Sequence, residues 1–324
     1  LMLATLFAEH FGLRPRYAHA IQMGGATGLG LVMLAERLIR SGAARRVLVV
    51  AGENRLSGQS RDASLQALAQ VGHPIYEVAL GPTVPAYYAL LASRYLHETG
   101  ASEADLADLA TLMRRHAIRH PGAQFREPLT RADVLASRPI ATPLKLLDCC
   151  PVSDGGCAFV IGAAPTGSPQ ALRLAGTAQH HGAQHVSAAP SLAVSGAGDC
   201  AARALAEAGR TLADVEVAAI YDSFTITLAL LLEEIGLAPR GRAGALADSG
   251  HFDRDGPLPL NLHGGLLSYG HCGVAGAMAH LAEVHLQMTG RAGPRQAKRA
   301  GVALLHGDGG VLSSHVSLVL EAAA

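Results

Sequence analysis

The sequence predicts an α/β protein made of two similarly laid-out halves, and two observations carry that reading. Short continuous apolar runs, Val47–Ala51 and Val302–Leu305, have the length and composition of strands buried on both faces. The order glycine-rich turn, helix, basic loop, strand, glycine also occurs twice. Met23-Gly24-Gly25-Ala26-Thr27-Gly28 leads into a helix at about 28–40 and then the first run, closed by Gly52. Gly264-Gly265 through His271 and Gly273 leads into a helix at about 275–289 and then the second run, closed by His306-Gly307-Asp308-Gly309-Gly310.

The remaining elements follow in chain order. Leu1–Phe11 reads as a helix, and because an α/β domain rarely begins inside one, a preceding N-terminal segment is expected to be absent from this numbering. An irregular region at about 54–145 holds a helix at about 84–97. A second helix opens at Ser102-Glu103-Ala104-Asp105, a capping box with Asp in the third position, and stops before Pro121. Insertions of this kind in an α/β half commonly carry loops that contact substrate. Strands are expected at 157–162, 171–177 and 215–221, and helices at 198–208 and 224–236. The halves divide at 164/165, giving units 1–164 and 165–324.

Composition excludes several function classes. The 324 residues are 49% hydrophobic and 16% charged, which excludes disorder. Lys+Arg and Asp+Glu both number 26, basic tracts are short, and Trp is absent, so nothing favours nucleic acid. No apolar run reaches the ~20 residues of a membrane span. The odd number of cysteines, 149, 150, 157, 200 and 272, contains no CxxC pair. That pattern disfavours a disulfide framework or a structural zinc site and suits a reducing, cytoplasmic setting.

Four stretches could carry chemistry. Glycines at 24–28 either admit a ligand to a helix N-terminus or serve tight packing. Tyr221-Asp222-Ser223-Phe224 ends a buried strand, where polar side chains face ligand crevices in α/β folds; Asp222 or Ser223 could equally cap the next helix. His271, in the glycine-dense Gly264–Gly273 stretch, can act as an acid or donate to an oxyanion. His306, at the end of the matching strand, is a candidate of the same kind. His180, His181 and His185 fit no zinc spacing and read as a solvated loop, and Asp148–Gly156 as a turn with structural cysteines.

Together, "DCCPVSDGG" at 148–156, "YDSF" at 221–224, "NLHGGLLSYGHCG" at 261–273, "HGDGG" at 306–310 and the turn at 24–28 resemble the thiolase superfamily, particularly its sterol-carrier-protein-type branch. The resemblance spans the chain. It implies two βαβαβαββ halves in a five-layer αβαβα arrangement, with the first strand and helices of the N-terminal half missing. It also implies a homodimer across the N-terminal halves and a small OB-fold, zinc-ribbon partner that would hold any metal, with coenzyme A entering only as part of the substrate.

The departures from the family direct the functional reading. The nucleophilic cysteine of thiolases falls on Gly25 or Ala26, and no cysteine precedes Cys149. The second thiolase cysteine falls at His306, and Tyr221 stands where the family usually has Asn or His. The "GH" histidine, His271, is retained. Cys272 is a poor substitute nucleophile, since its neighbour His271 should point into the site. The chain is most similar to the nucleophile-less aldolases of bacterial steroid side-chain degradation, which have a tyrosine in the "YDxF" block and another beside the "GH" histidine, here Tyr221 and Tyr269. The implied activity is retro-aldol cleavage of a 3-hydroxyacyl-CoA, with Tyr221 and Tyr269 sharing proton transfers and His271 holding the enolate. The alternatives are a thiolase-type acyltransferase with an unconventional nucleophile and a non-catalytic acyl-CoA-binding subunit.

Overall fold

The computed structural model describes residues 2–58, 60, 62, 66, 68–163 and 170–322. The expected junction at 164/165 lies outside the described residues. Among the described residues, the main sheet runs in the order β5 (Leu172–His181), β8 (Ser314–Ala322), β7 (Val302–Gly309) and β6 (Val217–Ile220). The β5/β8 and β8/β7 pairs are antiparallel and β7/β6 is parallel. A second, two-stranded antiparallel sheet joins β1 (Arg46–Asn54) to β4 (Asp154–Gly162) in unbroken register from Arg46↔Gly162 to Asn54↔Asp154. Both runs that opened the sequence reading, Val47–Ala51 and Val302–Leu305, lie inside strands, but only the second is buried on both faces: β1 is bonded to β4 alone, in a two-stranded sheet, and leaves Leu48 and Val50 exposed on one face.

Helices cover both faces of the main sheet. On one side lie α2 (Thr27–Arg40) and α9 (Gly276–Met288), the two helices that follow the glycine-rich turns. They meet closely, since a Cβ on Gly28 would lie 2.3 Å from Met278 Cγ. On the other side lie α6 (Ala197–Ala208) and α7 (Thr225–Ile235); Gly176 on β5 has no room for a side chain because Ala204 O would lie 2.1 Å from it. The first glycine-rich turn meets the glycine stretch that closes β7. A Cβ on Gly309 would fall 1.9 Å from Met23 O, and one on Gly24 2.8 Å from Gly310 N. Only glycine permits this contact, so the turns are a mutual fit.

The region at 54–145 is more regular than its sequence suggests. It holds α3 (Val84–Thr99), α4 (Glu103–Ala117), a short α5 (Arg131–Ala136) and a hairpin of β2 (Pro139–Ala141) and β3 (Leu144–Lys145). The box at the start of α4 forms: the Asp105 carboxylate accepts from the Ser102 N–H at 2.8 Å and hydroxyl at 2.7 Å. Near the start of the chain lies α1 (Leu3–His10), and α8 (Ala243–Asp248) packs on α4. No helix among the described residues is long and apolar enough to cross a membrane.

Candidate active site

Tyr221 leaves the end of β6, where its N–H donates to His306 O, and projects toward the start of α2. Its hydroxyl lies 2.8 Å from His271 Nε2. Tyr221 is 4% exposed. The hydroxyl fills the space that a side chain at position 25 would need, because a Cβ on Gly25 would fall 1.9 Å from Tyr221 Oη and 2.5 Å from Asp308 O. Gly25, one of the two positions onto which the thiolase nucleophile maps, therefore cannot carry a cysteine while Tyr221 holds this pose.

Ser153 and Gly273 hold His271 in place. The Ser153 N–H donates to His271 O and the His271 N–H donates to Ser153 Oγ, both at 3.0 Å. The Gly273 N–H donates to His271 Nδ1 at 3.2 Å. With Nδ1 accepting, the neutral imidazole carries its proton on Nε2 and donates it to the Tyr221 oxygen. Burial, reinforced by the positive charge of Arg55, lowers the His271 pKa to about 4, so the ring is neutral at physiological pH. Burial, aided by the charge of Asp308, pushes the Tyr221 phenol well above its ordinary value. Tyr221 is thus a protonated phenol whose own O–H is free to donate elsewhere.

The turn before His271, a π-helical turn over Gly265–Tyr269, hangs on Asp222. The buried Asp222 carboxylate accepts from the Leu266 N–H at 2.7 Å and the Leu267 N–H at 3.3 Å. Asp222 therefore caps this distant turn and not the helix that follows it, whose N-cap residue is Phe224. From the other side, the N–H groups of Gln124 and Phe125 donate to Tyr269 O and Ser268 O.

The structure brings Tyr221 and His271 together and sets Tyr269 and His306 apart from them. The half-buried Tyr269 ring packs against His120 (4.8 Å between centroids) and His263 (5.2 Å). The His306 side chain lies on the opposite face of β7 from Gly307. Its Nδ1 is 2.8 Å from Ser317 Oγ and its Nε2 3.1 Å from His315 Nδ1. Gly307 faces Ala26 and Leu29 at the start of α2, so strand alternation sends His306 away from the pair.

Among the other sequence candidates, His180 and His181 end β5 and do not form a loop: His180 pairs with Asp199 at 3.3 Å and His181 with Ser314 Oγ at 3.1 Å. Among the described residues no group of three or more His, Cys, Asp or Glu side chains could hold a metal ion. All five thiols are free and each has a pKa raised by burial, to about 12 for Cys149. Cys272 lies under Gly155, with the Glu53 carboxylate adding to its shift. None is the lowered-pKa thiol that nucleophilic attack needs.

Ser153, Gln124 and Arg55 were not single-residue candidates in the sequence. The Ser153–His271 contact spans 118 positions and has no local signature.

Comparison with known proteins agrees with this architecture. The family described as thiolase C-terminal domain-like matches residues 178–322. The chain is 32% identical over 293 residues to a steroid side-chain-cleaving aldolase of Thermomonospora curvata, covering 81% of this chain and 72% of that protein. It is 28% identical over 326 residues to an acetyl-CoA acetyltransferase of Methanothermobacter thermautotrophicus, covering 97% of this chain and 83% of that one. The solved structure of an Ltp2-ChsH2(DUF35) aldolase superposes with a TM-score of 0.79 at 30% identity, over 93% of this chain and 78% of that chain. With the α/β layers, the paired glycine-rich turns and the retained histidine in place, the chain belongs to the thiolase superfamily, in its sterol-carrier-protein-type, thiolase-like branch.

Proposed function

We propose that this acyl-CoA-acting, thiolase-like protein is a carbon–carbon lyase. It cleaves a 3-hydroxyacyl-CoA by retro-aldol reaction into a shorter acyl-CoA and a ketone or aldehyde. The observation that carries the reading is the Tyr221 hydroxyl in the volume of a side chain at Gly25. A phenol stands where an acyl-thiolase keeps its nucleophile, and no activated thiol replaces it. Retro-aldol chemistry needs no covalent intermediate. A base takes the β-hydroxyl proton, the Cα–Cβ electron pair becomes the thioester enolate, and an acid protonates Cα. Tyr221, protonated and held by the His271 Nε2–H, suits the acid step.

The name of the Thermomonospora relative supports a steroid side-chain thioester as the substrate class. The ChsH2(DUF35) component in the name of the aligned aldolase supports a small partner subunit for this chain too. A homodimer is proposed from the resemblance alone. The acyltransferase reading draws on the Methanothermobacter relative, and one experiment separates the two. The purified protein, with and without its partner, is incubated with 3-hydroxyacyl-CoA before and after iodoacetamide. Cleavage to acyl-CoA and carbonyl product that survives alkylation is expected. Abolition by alkylation would transfer the chemistry to a cysteine.

A further inference from the structure

Cleavage between Cα and Cβ leaves a negative charge behind. The Cα–Cβ electron pair moves onto the thioester oxygen, giving the enolate, and returns to form a C–H bond when Cα is protonated. The β-hydroxyl gives up one proton and Cα gains one, so none is consumed. Between those events the site holds a buried anion, which is costly to keep in a low-dielectric setting without a partner of opposite charge. Tyr221 and His271 do not supply one. Both are neutral, and the His271 Nε2–H is already donated to the Tyr221 oxygen. The ionisable groups that act on the Tyr221 phenol, Asp308, Cys150, Tyr88 and Asp222, are all acidic.

A cation reaches the pair from the end of β1. The unbroken register that closes at Asn54↔Asp154, taken one step further, sets Arg55 opposite Ser153, the residue that clamps both the N–H and the carbonyl of His271. The Leu56 N–H continues the pairing by donating to Asp154 Oδ1 at 2.7 Å. Side chains alternate along both strands, so that Val49, Ala51 and Glu53 of β1 and Cys157, Phe159 and Ile161 of β4 face inward. Arg55 and Ser153 extend those two inward rows, and their side chains share the face on which His271 lies. The Arg55 side chain is 18% exposed and makes one polar contact among the described residues, Nε to Glu53 Oε2 at 3.4 Å. Glu53 Oε1 accepts in turn from the Val274 N–H at 3.2 Å, just beyond His271. Both terminal guanidinium nitrogens are left without a partner among the described residues, and neither is sealed from solvent. The Arg55 charge acts on His271, adding to the lowering caused by burial, and on the buried Cys150 thiol. A largely buried guanidinium with a carboxylate at one end and two free donors at the other is placed to receive an anion.

Resting on the lyase reading above, we propose that Arg55 is a catalytic residue of the cleavage, its free guanidinium edge receiving the thioester oxygen as the enolate forms. The contact strengthens as charge develops on that oxygen and is weaker with the neutral thioester, so it acts on kcat more than on substrate binding.

The test uses the intact chain as Arg55→Met, which keeps an unbranched side chain without charge, and Arg55→Lys, which keeps the charge without the two-pronged edge. Expected in Arg55→Met is an unchanged Tm, a KM within about threefold of wild type and a kcat lower by about 10²-fold, with Arg55→Lys in between. A second measurement needs no turnover. Acetoacetyl-CoA, a 3-ketoacyl thioester with no β-hydroxyl to cleave, is bound to each protein, and the near-ultraviolet absorbance of its enolate is followed against pH. Wild type should hold at least about ten times more enolate than the free thioester at the same pH, a shift of about one pKa unit. Arg55→Met should lose that excess while still binding the probe. An enolate fraction equal in Arg55→Met and wild type overturns the proposal, whatever kcat does. So does a loss confined to KM with weaker binding of free coenzyme A, which would put Arg55 on the coenzyme A phosphates. If wild type enriches the enolate but cleaves no 3-hydroxyacyl-CoA, the lyase reading fails by itself while the enolate contact at Arg55 is upheld.

Discussion

At Tyr221 and Gly25 one departure from a thiolase requires the other. The phenol occupies the place that a side chain at 25 would take, so Tyr221 in this pose tolerates only glycine there. Tyr221→Phe keeps the ring and removes the hydroxyl, so the Tm should hold while kcat/KM falls by roughly 10²–10⁴, the usual contribution of one general acid or base. A folded Phe variant that still turns over within about threefold would remove Tyr221 from the chemistry. Gly25→Ala attacks the same point sterically. Its methyl would sit 1.9 Å from Tyr221 Oη and 2.5 Å from the Asp308 carbonyl, so the ring or the backbone must move. Loss of at least about ten-fold in kcat/KM is expected, with a destabilisation of about 1–3 kcal/mol on thermal unfolding. Wild-type turnover in the Gly25→Ala protein would show that the hydroxyl does not need its present position.

Among the elements, the π-helical turn at Gly265–Tyr269 is the one on which the site depends, because it delivers His271 and, beyond local bonds such as Ser268 N–H to Gly264 O, is held by groups distant in the chain. Asp222 holds its leading amides, Ser153 holds His271 at both its N–H and its carbonyl, and Gln124 and Phe125 hold its end. Asp222→Asn keeps the shape but turns one acceptor oxygen into a donor facing an N–H. The expected cost is about 1–3 kcal/mol of stability on denaturant unfolding, accompanied by loss of turnover. Equal stability of the Asp222→Asn and wild-type proteins would show that the turn stands by itself. Ser153→Ala removes the acceptor for the His271 N–H and should cost about 1 kcal/mol. Its effect on kcat should exceed its effect on Tm, because His271 is freed while the core is untouched.

Across the whole molecule, buried neutral histidines are numerous enough to shape its response to acid. Burial lowers the pKa of His116 and His315 to about 4, and those of His263 and His306 also fall well below 6.5. The unfolded chain binds protons at these sites from about pH 6.5 downward, whereas the folded chain refuses them until about pH 4 for the first two. Their contribution is therefore intact above pH 6.5 and lost as pH falls toward 4, at roughly 3 kcal/mol for each of His116 and His315. The buried carboxyls of Asp308, Asp222, Asp148 and Asp108, raised by burial, act in the opposite sense, but His120, His251 and His271 are lowered as well and join the other four histidines. Thermal melts should show the Tm dropping steeply between about pH 6.5 and 4.5, with a shallower drop for His116→Leu. A Tm constant over that range would contradict the assignment of these rings as neutral.

Fold class, the order of the elements and the family could all be read along the chain before any contact was known. Apolar runs of four to six residues can be buried strands wherever the chain goes, a capping box closes on its own neighbours, and glycine turns mark backbone that side chains would obstruct. These signals are local, and the strands, helices and the Ser102–Asp105 cap stand where they indicated. Tyr221 and His271 were also legible as candidates, because each ends or begins an element in a glycine-dense block. Which candidates meet was a matter for the folded molecule. Alternation along β7 turns His306 toward Ser317 and His315, and no local pattern states which face of a strand will hold the site. Tyr269 and Tyr221 lie in separate blocks, and their separation by His263 and His280 arises from the packing of a turn on a helix. The role of Asp222 was ambiguous for the same reason, since an acid after a strand can cap its own helix or reach a distant turn. Contacts between residues far apart in the chain are set by the folded core as a whole, and they are where the chemistry of this protein is assembled.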